Sequence, residues 1–542
     1  MKITSVIGRV GIPTLAMVLM APAVRAADDW VATQTRAFPV AGRALPAWGE
    51  ELLPAAPVRV AVSLRLRNKA QLDALAAAQR RGGGAALDRE QSLRRFAPTP
   101  AQAEAVADYL RRSGFIDVRI AANRLLVSAS GSAATVKTAF HTRLRRYNVD
   151  GRETYANADD AMVPAALGDT VLAVLGLQTV RAARPMYRLP AKTLAHRLDV
   201  TGHSPVEFAA LYGAAQTPDA AKTTVGIISA GDLTQTLSDL DLFTDKNGLA
   251  RVPVSVVQSG SGSSDTSGTL EWNLDSQDIV GAGGGRVQAM LFYNATSLYD
   301  QDLEEAFNQA VSDDRAAVVN VSLGECEDDA VTSGAMASED QIFELAQAQG
   351  QTFSVSSGDS GSNECGGATP THQSYPAVSP FVMAIGGTTL STSPDGRYTG
   401  EEAWSGGGGG NSGHESRPDW QFGVAMMGSY RALPDVAFDA DPASGAVIVY
   451  QGGDTQVGGT SLSAPIFTGI WARLQSAQGN QLGFPGKWIY DAAQGRKPVY
   501  RDVVAGSNGA YSAGKGWDFT TGWGSMLIDA FDNYLAATRQ GS

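Results

Sequence analysis

The sequence predicts an α/β protein whose larger part is a doubly wound, mostly parallel sheet, preceded by a small α+β module. Three observations carry that prediction. Beyond residue 200, short apolar runs alternate with helical stretches, as in a parallel sheet covered on both faces. Ahead of it, residues 58–140 read strand, helix, strand, helix. The two parts also differ in charge. Residues 27–195 hold 24 Lys and Arg against 15 Asp and Glu, whereas residues 196–542 hold 16 against 40.

The elements follow in chain order. Residues 1–26 read as a secretory signal, with Lys2 and Arg9 ahead of an apolar run and the small residues Val24 and Ala26 before a cut at Ala27. The apolar run is too short to span a membrane. Residues 58–66 (VRVAVSLRL) alternate as a strand does. Residues 99–113 form a helix, with Thr99 as N-cap and Gln102 completing a capping box. Residues 124–128 are a strand and 133–140 a helix; residues 80–86 are a Gly-rich loop. The module ends near Gln178. The linker, 179–200, carries Arg181, Arg184, Pro185 and Pro190 with little pattern, and is expected to be exposed and open to proteolysis. The domain at 201–542 opens on strands at 224–228 and 286–291. Apolar runs at 316–322 and 351–356 end in polar residues, with a helix at 336–349 between them.

Charge and cysteine content narrow the function. A net charge of -12 excludes nucleic acid as the main partner. A basic module ahead of an acidic domain suggests mutual docking, which would fade as carboxylates protonate in acid. The two cysteines, Cys326 and Cys365, suggest one disulfide in an exported chain, stabilising by roughly 4 kcal/mol in the chain-entropy account.

Chemistry enters at Gly458-Gly459-Thr460-Ser461-Leu462, which places a serine nucleophile at a helix start. A serine hydroxyl needs a base, yet none of the five histidines lies in an HGTH-type box. Glu271 and Asp275 are four residues apart in EWNLDSQ and share one helix face. Such a pair repels unless one member holds a proton, and a carboxylate base implies acidic operation. A solvated acidic face is the competing reading, and Asp278 lies near that face. Gly358-Asp359-Ser360-Gly361 follows an apolar strand; a protonated Asp359 there could donate to an oxyanion, although such clusters are more often turns.

These residues together resemble the sedolisins, the serine-carboxyl peptidases of subtilisin-like fold. The resemblance rests on Glu271-x-x-x-Asp275, Ser322-x-Gly324-x-x-Glu327, SSGDSG around Asp359, YPAVSPFVMAIGGT from Tyr375, and GGTSLSAP around Ser461, in order. It covers residues 200–540. The basic half resembles the family's activation propeptide, whose α+β fold is ferredoxin-like.

The resemblance implies Ser461 as nucleophile, Glu271 as general base and then acid, and Asp275 as its orienting partner. Asp359 and the Ser461 N–H would make the oxyanion hole. It implies substrate contacts from Ser322, Gly324 and Glu327, and a Cys326–Cys365 bridge as in a bacterial branch. It also implies one Ca²⁺, held by Asp502, the Val503 carbonyl and the Gly514-x-Gly516-x-Asp518 run; hard oxygen donors suit that ion. Leu323 and Ile227-Ile228-Ser229 depart from members with a Trp and an extra Glu there, which points to a simpler hydrogen-bond network around the triad.

The expected protein is thus a secreted, monomeric zymogen with protein or peptide substrates and no stable membrane association. Its own propeptide would serve as intramolecular inhibitor and chaperone. A subtilisin of the histidine type lacks its boxes here, and a pepsin-like pair is missing because Asp265-Thr266-Ser267-Gly268 is interrupted and single. The alternative from another class is a non-catalytic exported binding protein on a peptidase scaffold.

Overall fold

A computed structural model of the chain describes Met1 and residues 29–39, 49–80, 85–149, 151–190, 202–366, 372–424 and 428–540. The secretory signal and its cut, the glycines of the Gly-rich loop and the linker beyond Pro190 fall outside the described residues.

The basic module is built on β1 (Pro57–Leu64), α1 (Lys69–Arg80), α2 (Pro100–Arg112), β2 (Ile116–Ile120), β3 (Leu126–Ser132), α3 (Ala133–Phe140) and β4 (Val171–Leu175). Its antiparallel sheet runs β2-β3-β1-β4. With α1, the short helix Arg89–Arg95 and the strands of residues 144–164 set aside as insertions, this is the β-α-β-β-α-β succession of a ferredoxin-like fold. Thr99 caps α2 through the expected box with Gln102. Ser132 caps α3 in the same way through Thr135. Val60, Val62, Val106, Leu110, Val136 and Phe140 fill one core between the sheet and these helices.

The large domain carries β5 (Ala220–Ala230), β6 (Val254–Gln258), α4 (Thr269–Ala282), β7 (Val287–Ala295), α5 (Asp300–Asp313), β8 (Val318–Val321), β9 (Leu323–Cys326), α6 (Ala335–Gln349), β10 (Thr352–Ser356), β11 (Met383–Thr392), β12 (Tyr398–Ala403), β13 (Val436–Asp439) and α7 (Thr460–Ala477). The main sheet runs β6-β7-β5-β8-β10-β11-β12, with β13 on β11. Every pairing in it is parallel except β11 with β12. β8 is interior, and its run VVNV is buried throughout, as a strand covered on both faces requires.

Two helices make the centre of this domain. Every residue of α4 is buried. So are all residues of α7 up to Ser476. Neither has a solvent-exposed face, because α4 and α7 pack on each other and on the sheet. The reading of 271–278 as a solvated acidic face therefore fails: Glu271, Asp275 and Asp278 have no exposed surface.

The basic module docks on α5 and α6. Arg59 lies 2.8 Å from Asp302, and Lys69 2.9 Å from Glu344. Gln341 of α6 donates to the Leu64 carbonyl at 2.9 Å, and Asn123 to Asn308 at 2.6 Å. Opposite charges meet, as expected. However, burial pushes the Glu344 carboxyl up to about 8, outweighing the Lys69 ammonium beside it. A group raised in the docked state favours docking at low pH and loses that contribution as pH rises toward about 8. At this contact, acid does not loosen the docking.

The linker also differs from expectation. Its first part is not an exposed loop. Arg184 and Pro185 pair antiparallel with Gly324 and Leu323 of β9, and Met186 is 1% exposed. Among the described residues, no helix is long and apolar enough to cross a membrane.

Candidate active site

Ser461 is the second residue of α7. Its N-cap is Gly459, whose φ of 105° is open to glycine and strained for other residues. Space demands glycine there as well. A methyl group at 459 would sit 2.2 Å from the Met186 carbonyl oxygen and 2.7 Å from Asp359 Oδ2. The close approach of three chain segments puts a peptide carbonyl, a carboxyl and the helix N-terminus at one point.

The Ser461 N–H donates to the Met186 carbonyl at 2.9 Å. Asp359 lies at the end of β10. Its Oδ1 accepts from the Thr460 N–H at 2.7 Å and hydroxyl at 2.9 Å, while Oδ2 has no hydrogen-bond partner. Burial raises the Asp359 carboxyl to about 6, against the Thr460 bonds and the Arg188 guanidinium 3.5 Å away. A carboxyl at that value is protonated below about pH 6 and then has a proton to donate toward the carbonyl.

Glu271 and Asp275 project from α4 with no cation beside either among the described residues. Burial pushes Glu271 well above the usual carboxyl range, the charge of Asp275 adds to it, and the neighbouring Ser461 hydroxyl opposes it. Neither Glu271 oxygen has a hydrogen-bond partner. Asp275 is likewise raised by burial, opposed by Ser322 and Asn320. The Ser322 hydroxyl donates to Asp275 Oδ1 at 2.5 Å and accepts from Asn320 Nδ2 at 2.8 Å. Thr468 of α7 donates to Asn320 Oδ1 at 3.2 Å, which fixes the amide orientation. In this state the Ser461 hydroxyl donates to the Ser322 carbonyl at 3.1 Å. Asp278, one turn beyond Asp275, is raised by burial and by the charges of Asp275 and Asp439.

Of the three residues expected to contact substrate, Ser322 and Gly324 line the linker. The Ser322 carbonyl accepts from the Met186 N–H at 3.1 Å, and Gly324 is the register partner of Arg184. Glu327 lies elsewhere. Its carboxylate accepts from the Gln373 N–H at 2.8 Å, the Ser412 hydroxyl at 2.6 Å and the Gly413 N–H. It ties two loops together beside the Cys326–Cys365 disulfide, which the structure contains. The serine, both acids and Asp359 thus converge, whereas Glu327 holds residues 373 and 412–413 together. Asn320 and Met186 escaped the sequence reading. A lone amide inside the apolar run of β8 was the signal for Asn320; Met186 had none.

The expected calcium ligands gather on one loop. Asp502 accepts from the Gly516 N–H at 3.0 and 3.2 Å, and Asp518 Oδ2 from the Gly514 N–H at 2.8 Å. Two carboxylates with the loop's carbonyl oxygens are a hard, all-oxygen donor set, which fits Ca²⁺.

Residues 49–180 match the family described as pro-kumamolisin, activation domain, and residues 273–524 match the subtilase family. The chain is 46% identical to sedolisin of Pseudomonas sp. (strain 101), over 93% of this chain and 92% of that one. It is 39% identical to xanthomonalisin of Xanthomonas sp. (strain T-22), over 89% and 66% respectively. Among solved structures it is similar to Pseudomonas sedolisin, described as a serine-carboxyl proteinase in complex with pseudo-iodotyrostatin. That match has a TM-score of 0.61 and 48% identity, and covers 62% of this chain and 98% of that one.

Proposed function

This chain belongs to the sedolisin family of serine-carboxyl peptidases, and from that premise we propose that it is an acid-acting endopeptidase, made as a secreted zymogen, in which Ser461, Glu271 and Asp275 are the triad. Residues 27–178 are its activation propeptide. The observation that carries this reading is the pairing of a helix-start serine, whose N–H already holds a peptide carbonyl, with two buried carboxyls that have no cation beside them among the described residues.

Glu271 takes the Ser461 proton as Oγ attacks the substrate carbonyl. Burial makes its carboxylate more basic, which favours taking the hydroxyl proton, and Asp275, held by Ser322, keeps a shared proton in place. Negative charge on the carbonyl oxygen falls on the Ser461 N–H and the protonated Asp359. Glu271 then returns the proton to the leaving amine. Imidazole is charged and useless as a base at the pH where this arrangement works. Asp502, Asp518 and the carbonyls of Val503, Gly514 and Gly516 would hold calcium, which would supply a structural clamp for their loop.

A pH–rate profile on a mixed peptide library tests the reading. Turnover is expected to decline as pH rises through about 6, where Asp359 loses its proton. A maximum at neutral or alkaline pH would contradict it.

A further inference from the structure

We propose that the Met186–Tyr187 peptide bond is the first bond this enzyme cuts in its own chain. The inference rests on Ser461 being the nucleophile, and goes further by assigning a single bond.

The linker lies across the cleft in one register on both sides of that bond. On the N-terminal side, Arg184 pairs with Gly324, and the Met186 N–H donates to the Ser322 carbonyl at 3.1 Å. On the C-terminal side, Arg188 exchanges two hydrogen bonds with Gly458, each 2.8 Å. Between them the Met186 carbonyl accepts the Ser461 N–H at 2.9 Å, against Gly459 and beside Asp359 Oδ2. A slip of one residue toward the C-terminus of the linker would bring Pro185 opposite the Ser322 carbonyl. Proline has no N–H to give it. Any one-residue slip also turns the buried Met186 side chain to the opposite face. That side chain is 1% exposed, and its Cε would lie 3.1 Å from a methyl placed on Gly324. Gly324 is thus the floor of the pocket that takes it.

The step balances without a further reagent beyond water. Ser461 Oγ bonds to the Met186 carbonyl carbon while its proton passes to Glu271. The C–N bond to Tyr187 breaks, and Glu271 protonates the released amine. Water then hydrolyses the Met186 ester, leaving a prosegment that ends at Met186, a chain that begins at Tyr187, and free Ser461.

The test is a time course of the full-length chain after acidification, read by intact mass of both fragments, alongside Ser461→Ala. The expected first products are a prosegment ending at Met186 and a partner beginning at Tyr187, both missing from Ser461→Ala. A first-released prosegment with any other C-terminus would overturn the assignment. The decapeptide of residues 181–190, given to matured enzyme, should be cut between Met and Tyr. Cleavage elsewhere, or none while a mixed peptide library is hydrolysed, would also overturn it and leave the peptidase reading intact. Failure of the library and of self-cleavage together would remove the peptidase reading first, and this assignment with it.

Discussion

Asp275 and Asp435 are both carboxylates without solvent exposure, and they have opposite surroundings. Asp435 is saturated. Arg431, four residues earlier, grips it from both guanidinium nitrogens at 2.8 and 2.6 Å, and Ala384 N–H, Tyr490 and Gln421 complete its shell. Asp275 has hydroxyl and amide neighbours and an oxygen with no hydrogen bond, and Glu271 beside it has two. A buried acid gripped on both oxygens by a buried guanidinium, with its other acceptor sites filled, can only hold the fold. A buried acid without a cation keeps a proton within reach, and a serine beside it gives that proton somewhere to come from.

Asp359 sharpens the contrast, because it stands between the two: Oδ1 is held by Thr460, while Oδ2 has no hydrogen bond and the Arg188 guanidinium lies 3.5 Å away. Asp359→Ala should lower turnover by about a hundred- to a thousandfold, as other lost oxyanion donors do. Steady-state kinetics at pH 4–5 checks this, and a near-wild-type rate would move Asp359 out of the catalytic class. Asp435→Ala is the opposite probe. It strands a buried guanidinium, so urea unfolding in a Ser461→Ala background should show a loss of about 3–5 kcal/mol. A loss below 1 kcal/mol would mean that Asp435 is not the structural acid described. Calcium removal is the mildest perturbation. Asp502 and Asp518 hydrogen-bond within their own loop, so chelation should lower the melting temperature through mass action while the pH profile of the remaining folded enzyme keeps its shape. An unchanged melting temperature after confirmed metal loss would count against the site.

The same comparison explains what the sequence made legible. Ser461, Glu271, Asp275 and Asp359 could be singled out because each breaks a local rule: acids at like-charge spacing, a serine after paired glycines, an Asp after an apolar strand. The ferredoxin-like module was legible through Thr99, Gln102 and the alternation of residues 58–66. The burial of α4 was not, since a helix packed on every side has no amphipathic period to read. Helix α1 was missed because its Ala-rich run is only weakly patterned. The docked linker was missed because Arg-Pro-Met-Tyr-Arg has no periodicity, and its order comes from pairing with β9 and Gly458. Glu327 was read as a substrate contact because it completes a motif with Ser322 and Gly324. Its position at the start of a short helix, Glu327–Ser333, turns it toward residues 373 and 412–413 instead.

The central claim is that carboxylates, with no imidazole, activate Ser461. Glu271→Gln tests it most directly, since it preserves shape and removes the base. Measured as single-turnover self-cleavage of the full-length chain in acid, this variant should be as inert as Ser461→Ala while unfolding at the same denaturant concentration as that variant. Self-cleavage of Glu271→Gln at close to the wild-type rate would contradict the account.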